Sequence, residues 1–600
     1  MYKPAFLASS LLFGSTYGAV SCKTTPFDPT WPSTEQWNAL NQSVGGELIK
    51  TRPVASSCLD DNPFGSTVSC DTVQENWFHS AFHARLPESI DYSYWANSSC
   101  VPPNDYAYSE QTCEIGGLPQ YILNASTAET IATTTAWASS RNIRLVIKGT
   151  GHDLNGRSSG AYALSIWTHQ LKENEFDAQW ARPLGNGTEH AAIIGSGSNW
   201  GEVLQAAAAI GRTVVSGQDS TVGLGGFIGG GGHGPLSSHY GLAADQVLQA
   251  TVVTTEGQVL VANEAQNQDL LWAIRGGGPG VFGVVTEYVL RTYPVPRNVV
   301  MSTLSISILD NSTEAANASW DALALFYRSL PDLMDLGMTG NGRATTVNMP
   351  RSGAAFERGV ELSMTFFAFN ITATAFKSLL EPLNQEILSD GRNQSLSVQL
   401  SDPTTFSSYM SFFAGLNSSP SRGGDISLVS SRLLGRRELS LIEFPSLRSY
   451  LQRITWSQVE GRTSMLVFGL QGGLGPKGVE PAMRGALNPA WREAYVHLIS
   501  TGANINTTDS APHDALAAAA TWVEENKEAV WREWAPKSGS YINEANPFNG
   551  NFQYDYFGGN YDRLVSIKEK YDPTASLFAL SGVGSHLWDY NLNSGKLCRK

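Results

Sequence analysis

Charge is scarce in this chain. Lys, Arg, Asp and Glu make up 16% of its 600 residues, below the roughly one quarter usual in soluble domains. Acids outnumber bases, 54 to 40, for a net charge of −14 without any basic run, which argues against nucleic acid as a partner. Only six cysteines occur and none forms a CxxC pair, so no thiolate metal module is expected. Beyond the first twenty or so residues no stretch is long and apolar enough to anchor in a membrane. Tandem repeats are absent too, which removes the solenoid architectures.

What remains is a globular composition, 42% hydrophobic, in a chain long enough for two or more cores. The opening MYKPAFLASSLLFGSTYGAVSC places Lys3 before a short apolar stretch ending in small residues. That is the layout of a secretory signal peptide over residues 1–20, cleaved between Gly18 and Ser21. The even number of cysteines suits a disulfide frame in an oxidising compartment. Cys58 with Cys70 and Cys100 with Cys113 are the shortest closures, and spacing alone leaves the connectivity open. Sequons at Asn41, Asn97, Asn124, Asn186, Asn311, Asn317, Asn370, Asn393, Asn417 and Asn506 point to a glycosylated, secreted surface.

Three regimes follow the leader. Residues 21–114 are rich in Pro, Ser, Trp and Cys without periodicity, and read as a disulfide-tied segment wrapping a core. Residues 115–297 alternate helices (TAETIATTTAWASSRN, WGEVLQAAAAIG) with strands (NIRLVIK, AAIIGSG) and a hairpin, QATVVTTEGQVLVAN, turned at Glu256-Gly257. Residues 298–540 carry longer alternating strands such as GVELSMTFFAFN and TSMLVFGLQGG, with helices ASWDALALFYRSL and HDALAAAATWVEENKEAVWREW, as in an α+β domain on an antiparallel sheet. Residues 541–600 return to Gly, Asn and aromatic punctuation, as a segment closing over a site would.

Glycine is concentrated in three loops: GTGHDLNGRSSG at 149–160, SGQDSTVGLGGFIGGGGHG at 216–234 and RGGGPGVFGVV at 275–285. Removing side chains at the ends of elements lets backbone N–H groups approach an anion, and several such loops together suit a diphosphate. Gly229, Gly231 and Gly234 formally satisfy GxGxxG, but Pro235 follows where a nicotinamide-type site needs a helix.

The stretches IKGTGHDLNGRSSG, STVGLGGFIGGGGHG, DLLWAIRGGGPGVFGVVTEYVLRTYP and YFGGNYDRLVSIKEKYDP together resemble the vanillyl-alcohol-oxidase superfamily of flavoproteins. The likeness is to its berberine-bridge-enzyme-like branch, in particular the secreted fungal FAD-linked, isoamyl-alcohol-oxidase-type oxidoreductases. The resemblance implies an α+β fold: a two-lobed FAD-binding domain, a substrate domain with a large antiparallel sheet covered by helices, and a C-terminal segment returning to the FAD domain. It implies FAD held by a bond from His152 to the flavin 8α-methyl, which would retain the cofactor outside the cell and raise its potential. A histidine that only hydrogen-bonds the pyrophosphate loop is the alternative. Where relatives carry a second, cysteinyl link, this chain has Asp219, so a single link is expected. Asp219 would orient substrate or satisfy donors in its own turn.

By the same resemblance Lys148, Gly149, Thr150, Gly151, His152, Asp153, Asn155, Gly156 and Ser158 would cradle the pyrophosphate. Ser220, Thr221, Gly223, Gly226, Phe227 and Gly229 would supply the second phosphate and ribose face. Val284 or Val285 would meet the adenine, and Asn560 the flavin ring edge. Val222 stands where relatives control oxygen access, in the oxidase pattern. The implied activity is hydride abstraction from a C–H beside O or N of a small molecule, with O2 reduced to H2O2; a carbohydrate oxidase and a flavin-containing binding protein are the alternatives. Tyr541 or Glu544 of YINEANPF would be the catalytic base. His233 and His239 are expected to pack their loop, with no metal spacing for them to serve. Substrate identity and oligomeric state are left undetermined.

Overall fold

The computed structural model describes residues 21–105, 112–185, 187–350, 356–419, 421–424, 428–505, 507 and 510–600. The predicted leader and the sequons at Asn186 and Asn506 lie outside these residues.

Four strands form the first lobe. Tyr121–Asn124, Leu164–Trp167 and Leu145–Lys148 are parallel neighbours, and Leu48–Lys50 closes one edge antiparallel. Parallel neighbours need a crossover. The helix Ala128–Ser139, capped by Thr127 on the N–H of Thr130, supplies one and buries Ile131 and Ala138 beneath the sheet. Trp37, Leu40 and Val44 enter this same core. The N-terminal segment therefore contributes a strand and a helix, Thr34–Ser43, to the lobe as well as wrapping it.

The second lobe is an antiparallel sheet in the order Asn174–Ala181, Thr188–Gly195, Val284–Arg291, Val247–Val253, Val259–Asn263. Its last two strands are the predicted hairpin, whose turn uses Gly257 at φ +81°. The helix Trp200–Ala209 packs against it, held by a capping box between Asn199 and Glu202.

An eight-stranded antiparallel sheet stands over both lobes. Its continuous path is Leu396–Leu400, Val299–Ile308, Phe356–Phe369, Thr339–Pro350, Met465–Gly469, Ala494–Ser500, Ser430–Gly435, with Thr404–Phe406 added beside Val299–Ile308. Period-two alternation divides its faces. Leu466 and Phe468 enter the core beneath the helices Thr313–Asp335, Ala373–Leu388 and Phe444–Ile454, whereas Val467, Asn341, Gly469, His497 and Ile499 line the cavity on the other side.

The long helix expected over 513–534 is interrupted. Pro512–Val523 and Ala529–Trp534 are joined by a π-helical turn, Glu524–Glu528, which turns Lys527 and Glu528 inward, onto the carbonyls of Ile454 and Trp456 and the hydroxyl of Ser430 respectively. The helix Tyr561–Tyr571 then packs into the second lobe, and Leu145 donates its N–H to Ser576 O at 2.8 Å.

Three disulfides are formed: Cys58–Cys70, Cys100–Cys113, and Cys22–Cys598, which joins the two ends of the described chain. The sequon at Asn417 serves the fold, because its amide donates to Gln218 O and Phe413 O, both at 2.9 Å.

Candidate active site

A cavity of about 560 Å³ lies where the two lobes meet the large sheet. The loop after the strand Leu145–Lys148 forms one wall with Gly149, Thr150, Gly151, His152, Asp153 and Ser158; Gly223, Gly226, Phe227 and Val285 come from the other glycine-rich loops and the second lobe. Tyr541 and Glu544 reach it from the C-terminal segment. Most of the predicted residues are thus brought together from distant stretches of chain.

Others are not. Lys148 turns away: its buried ammonium donates to the carbonyls of His83 and Leu86, and burial pushes it down to about 7 against the pull of Glu88 and Asp91. It supports the N-terminal segment and does not cradle an anion. Asn155 donates to Ile542 O, Gly156 lies against the Trp95 ring, and Gly229 against Pro279. Val284 is buried in the first-lobe core, and a bulge after Val285 separates the two valines' roles. Asn560 is likewise a structural residue, donating to the carbonyls of Ala486 and Leu487. The N–H of Ser220 is held by Asn417, and Thr221 acts on His152 from behind the wall.

The cavity meets the needs of an anionic, hydroxyl-rich cofactor. Gly149, Gly225 and Gly226 line it, and a Cβ at any of the three would meet no atom within 4 Å. Four lining residues carry buried polar atoms without a partner: Arg157 Nη1, Ser196 Oγ, Gln471 Oε1 and His497 Nε2. Such atoms are costly unless a ligand satisfies them. Arg157 is pre-oriented: Asp153 accepts from its Nε at 2.8 Å, and Asn543 accepts from its Nη2 at 2.9 Å. Asn543 in turn donates to Gly226 O and to Tyr541 Oη. Arg157 is not among the predicted residues although it stands inside GTGHDLNGRSSG; its position four residues after Asp153 is the signal that the sequence offers.

His152 lines the cavity with acceptors at both ring nitrogens. Nε2 lies 2.8 Å from Thr221 Oγ1, and Nδ1 lies 3.3 Å from Asp91 Oδ2. Asp219 accepts from the N–H and hydroxyl of Thr221 at 2.8 and 2.7 Å and from Ser421. Burial disfavours its charge, but these hydrogen bonds and nearby His152 hold the carboxyl below its ordinary range. Asp219 therefore satisfies its turn and reaches His152 through Thr221.

On the opposite wall Glu544 Oε2 receives two imidazoles, His233 Nε2 at 3.2 Å and His497 Nδ1 at 3.3 Å. Burial alone would raise the Glu544 carboxyl, yet the two histidines draw it down to about 2. Burial brings His497 down to about 3 in spite of that carboxylate. Tyr541 packs edge-on against both imidazole rings. Burial and the Glu544 charge raise its phenol, so Tyr541 keeps its proton at neutral pH. His233 belongs to the site, contrary to the loop-packing expectation, while His239 does pack, against Phe369. The three donor atoms lie within 4.8 Å of one another, a cluster that sequence spacing did not foretell.

Comparison with known proteins accords with this geometry. A family model described as FAD binding domain matches residues 119–263, and one described as berberine and berberine like matches residues 540–579. FAD-linked oxidoreductase apf9 of Gibberella fujikuroi is 32% identical over 606 residues, covering 100% of both chains. The VAO-type flavoprotein oxidase VAO615 of Thermothelomyces thermophilus is 32% identical over 586 residues, 96% of this chain and 95% of its own. The crystal structure of the VAO-type flavoprotein MtVAO713 from Myceliophthora thermophila C1 superposes with a TM-score of 0.87 at 29% identity, over 97% of this chain and 100% of that one. The chain belongs to the vanillyl-alcohol-oxidase superfamily, in its berberine-bridge-enzyme-like branch, and is an FAD-linked oxidoreductase.

Proposed function

We propose that the protein is a secreted oxidase that takes a hydride from a C–H bond beside oxygen or nitrogen of a small alcohol or secondary metabolite, with dioxygen as second substrate and hydrogen peroxide as product. The observation that carries this reading is the convergence of His233 and His497 on Glu544 in the cavity roofed by the large sheet.

FAD, when bound, supplies the two-electron acceptor. Gly149, Thr150, Arg157 and Ser196 would hold its phosphates and hydroxyls, and His152 would tether it. The rest of the chemistry falls to side chains. Val467 and Ile499 present an apolar surface to the substrate, while Asn341, held by Gln218 at 2.8 Å, offers a fixed polar group. Glu544 is ionised throughout the physiological range and takes the substrate proton at Oε1; from there the proton is shared with His233, which Oε2 already faces. Tyr541 and Trp491 pack the imidazoles in place and keep bulk water from them.

Val222 lines the cavity, in keeping with the oxidase pattern. A carbohydrate oxidase is less favoured: among the described lining residues there is no tryptophan to form a sugar platform. Secretion draws support from the leader, the sequons and three disulfides. Among the described residues no helix is long and apolar enough to cross a membrane.

The test is acid precipitation of purified protein beside a His152→Ala control, followed by screening alcohols, sugars, phenols and amines for peroxide release. Yellow chromophore retained only by the wild type, with peroxide from an alcohol or related metabolite, is the expected result. Colourless protein sinks the proposal; chromophore without peroxide from any substrate favours a binding protein.

A further inference from the structure

Asp91 is a buried carboxylate beside the cavity that no hydrogen bond satisfies. Its side chain is 1% exposed and neither oxygen has a hydrogen-bond donor, but His152 Nδ1 faces Oδ2 at 3.3 Å. A buried carboxylate is retained at a cost that only a charged or hydrogen-bonded partner offsets; Lys148 attracts it through space, and the group that faces it directly is a ring whose other nitrogen is also engaged. Thr221 Oγ1 stands 2.8 Å from Nε2 and itself donates to Asp219 Oδ1. The imidazole is gripped from both sides.

The grip is built into the backbone. The Asp91 N–H donates to Gly151 O at 3.2 Å, one residue before the histidine. Gly423 packs so closely that a Cβ there would lie 2.9 Å from Asp91 Cβ. Trp95, four residues on, donates its indole N–H to Leu154 O at 2.9 Å. The stretch around Asp91 is thus moulded onto the loop that carries His152.

We propose that Asp91 is the positioning residue for covalent attachment of FAD to His152, the carboxylate that fixes the ring and accepts its proton as the bond forms. The proposal rests on the His152-linked reading above. Attachment joins a ring nitrogen to the 8α carbon and breaks one C–H bond of that methyl and one imidazole N–H bond. The imidazole proton passes to Asp91 Oδ2 on its way out; two electrons and two protons end on the flavin, and dioxygen removes them as hydrogen peroxide. Drawing the Nδ1 proton to the carboxylate makes the ring nucleophilic, and the same contact fixes the orientation in which the ring meets the methyl.

The test compares wild type, Asp91→Asn and Asp91→Glu, each expressed in full. Total flavin by absorbance, flavin left on the polypeptide after acid precipitation, the mass of the His152 peptide and the melting temperature are measured together. Asp91→Asn is expected to bind FAD and melt near the wild-type temperature, yet to carry at least about tenfold less flavin on His152 at equal loading. Asp91→Glu restores part of the attachment. An asparagine variant with the wild-type covalent fraction overturns the role. Should that variant not fold, Asp91→Ser takes its place, and wild-type attachment kinetics in its apoprotein given FAD overturn the role equally. Wild-type protein whose flavin is wholly acid-releasable overturns the His152 link itself, and this proposal with it.

Discussion

Arg432 Nη1 stands 2.9 Å from Asp555 Oδ1, and both side chains are buried. Arg432 lies on the edge strand of the large sheet and also donates to Ala535 O at 2.8 Å. Asp555, on the short helix Phe552–Phe557, accepts from Asn549 as well, and its carbonyl takes the N–H of Ser540. The pair therefore pins the segment carrying Tyr541 and Glu544 to the sheet that roofs the cavity. Removing one member of a buried pair leaves an uncompensated charge. Asp555→Asn is expected to destabilise the protein by about 3–5 kcal/mol, read as a fall in the urea midpoint.

Glu544→Gln keeps the hydrogen-bonding shape but removes the acceptor charge between His233 and His497. Flavin content should be unchanged while the rate of flavin reduction by substrate falls by about 10²–10⁴. Rapid-mixing absorbance gives the result directly; a variant reduced as fast as wild type would remove Glu544 from the chemistry.

Stability should fall in acid. The folded Glu544 carboxyl at about 2 and the folded His497 imidazole at about 3 both lie below their ordinary values, so from about pH 6.5 down to about 2 the unfolded chain binds more protons than the native one. Stability thus rises with pH across this window and is lost progressively as pH falls through it. Melting temperatures from pH 7 to 4 should show the slope, and His497→Asn should flatten its upper part.

Arg157 and Asn560 offer a contrast. In a His152→Ala background, where binding is reversible, Arg157→Ala should weaken FAD binding by roughly ten- to a hundredfold, the worth of one charge-assisted hydrogen bond. Asn560→Ala should leave FAD affinity alone and cost about 1–2 kcal/mol in stability, since its amide holds the Ala486 and Leu487 carbonyls. Fluorescence titration and thermal melts separate the two effects.

The three glycine loops at the ends of elements point by themselves to a diphosphate, whereas the two-lobed fold and the flavin follow from the resemblance of the motif stretches to a known family. Which side chain faces the cavity was harder to read. Lys148 ends a strand beside the glycines, but its ammonium is taken up by carbonyls of a segment some sixty residues upstream. His497 sits within AYVHLIS and reads as one polar interruption of a strand; only the register between Met465–Gly469 and Ala494–Ser500 turns it toward Glu544. Asp91 belongs to no motif at all. Its meaning lies in the distance to His152, and a chain without periodicity gives no way to infer that distance.

The Cys22–Cys598 bond has a topological consequence. It ties the start of the described chain to a point two residues from its end, so nearly all of the polypeptide forms one covalent ring. A protease that cuts once inside that ring opens it without releasing a fragment. Lobes, roof and closing segment would still travel as one molecule, and a nicked enzyme would separate only under reducing conditions.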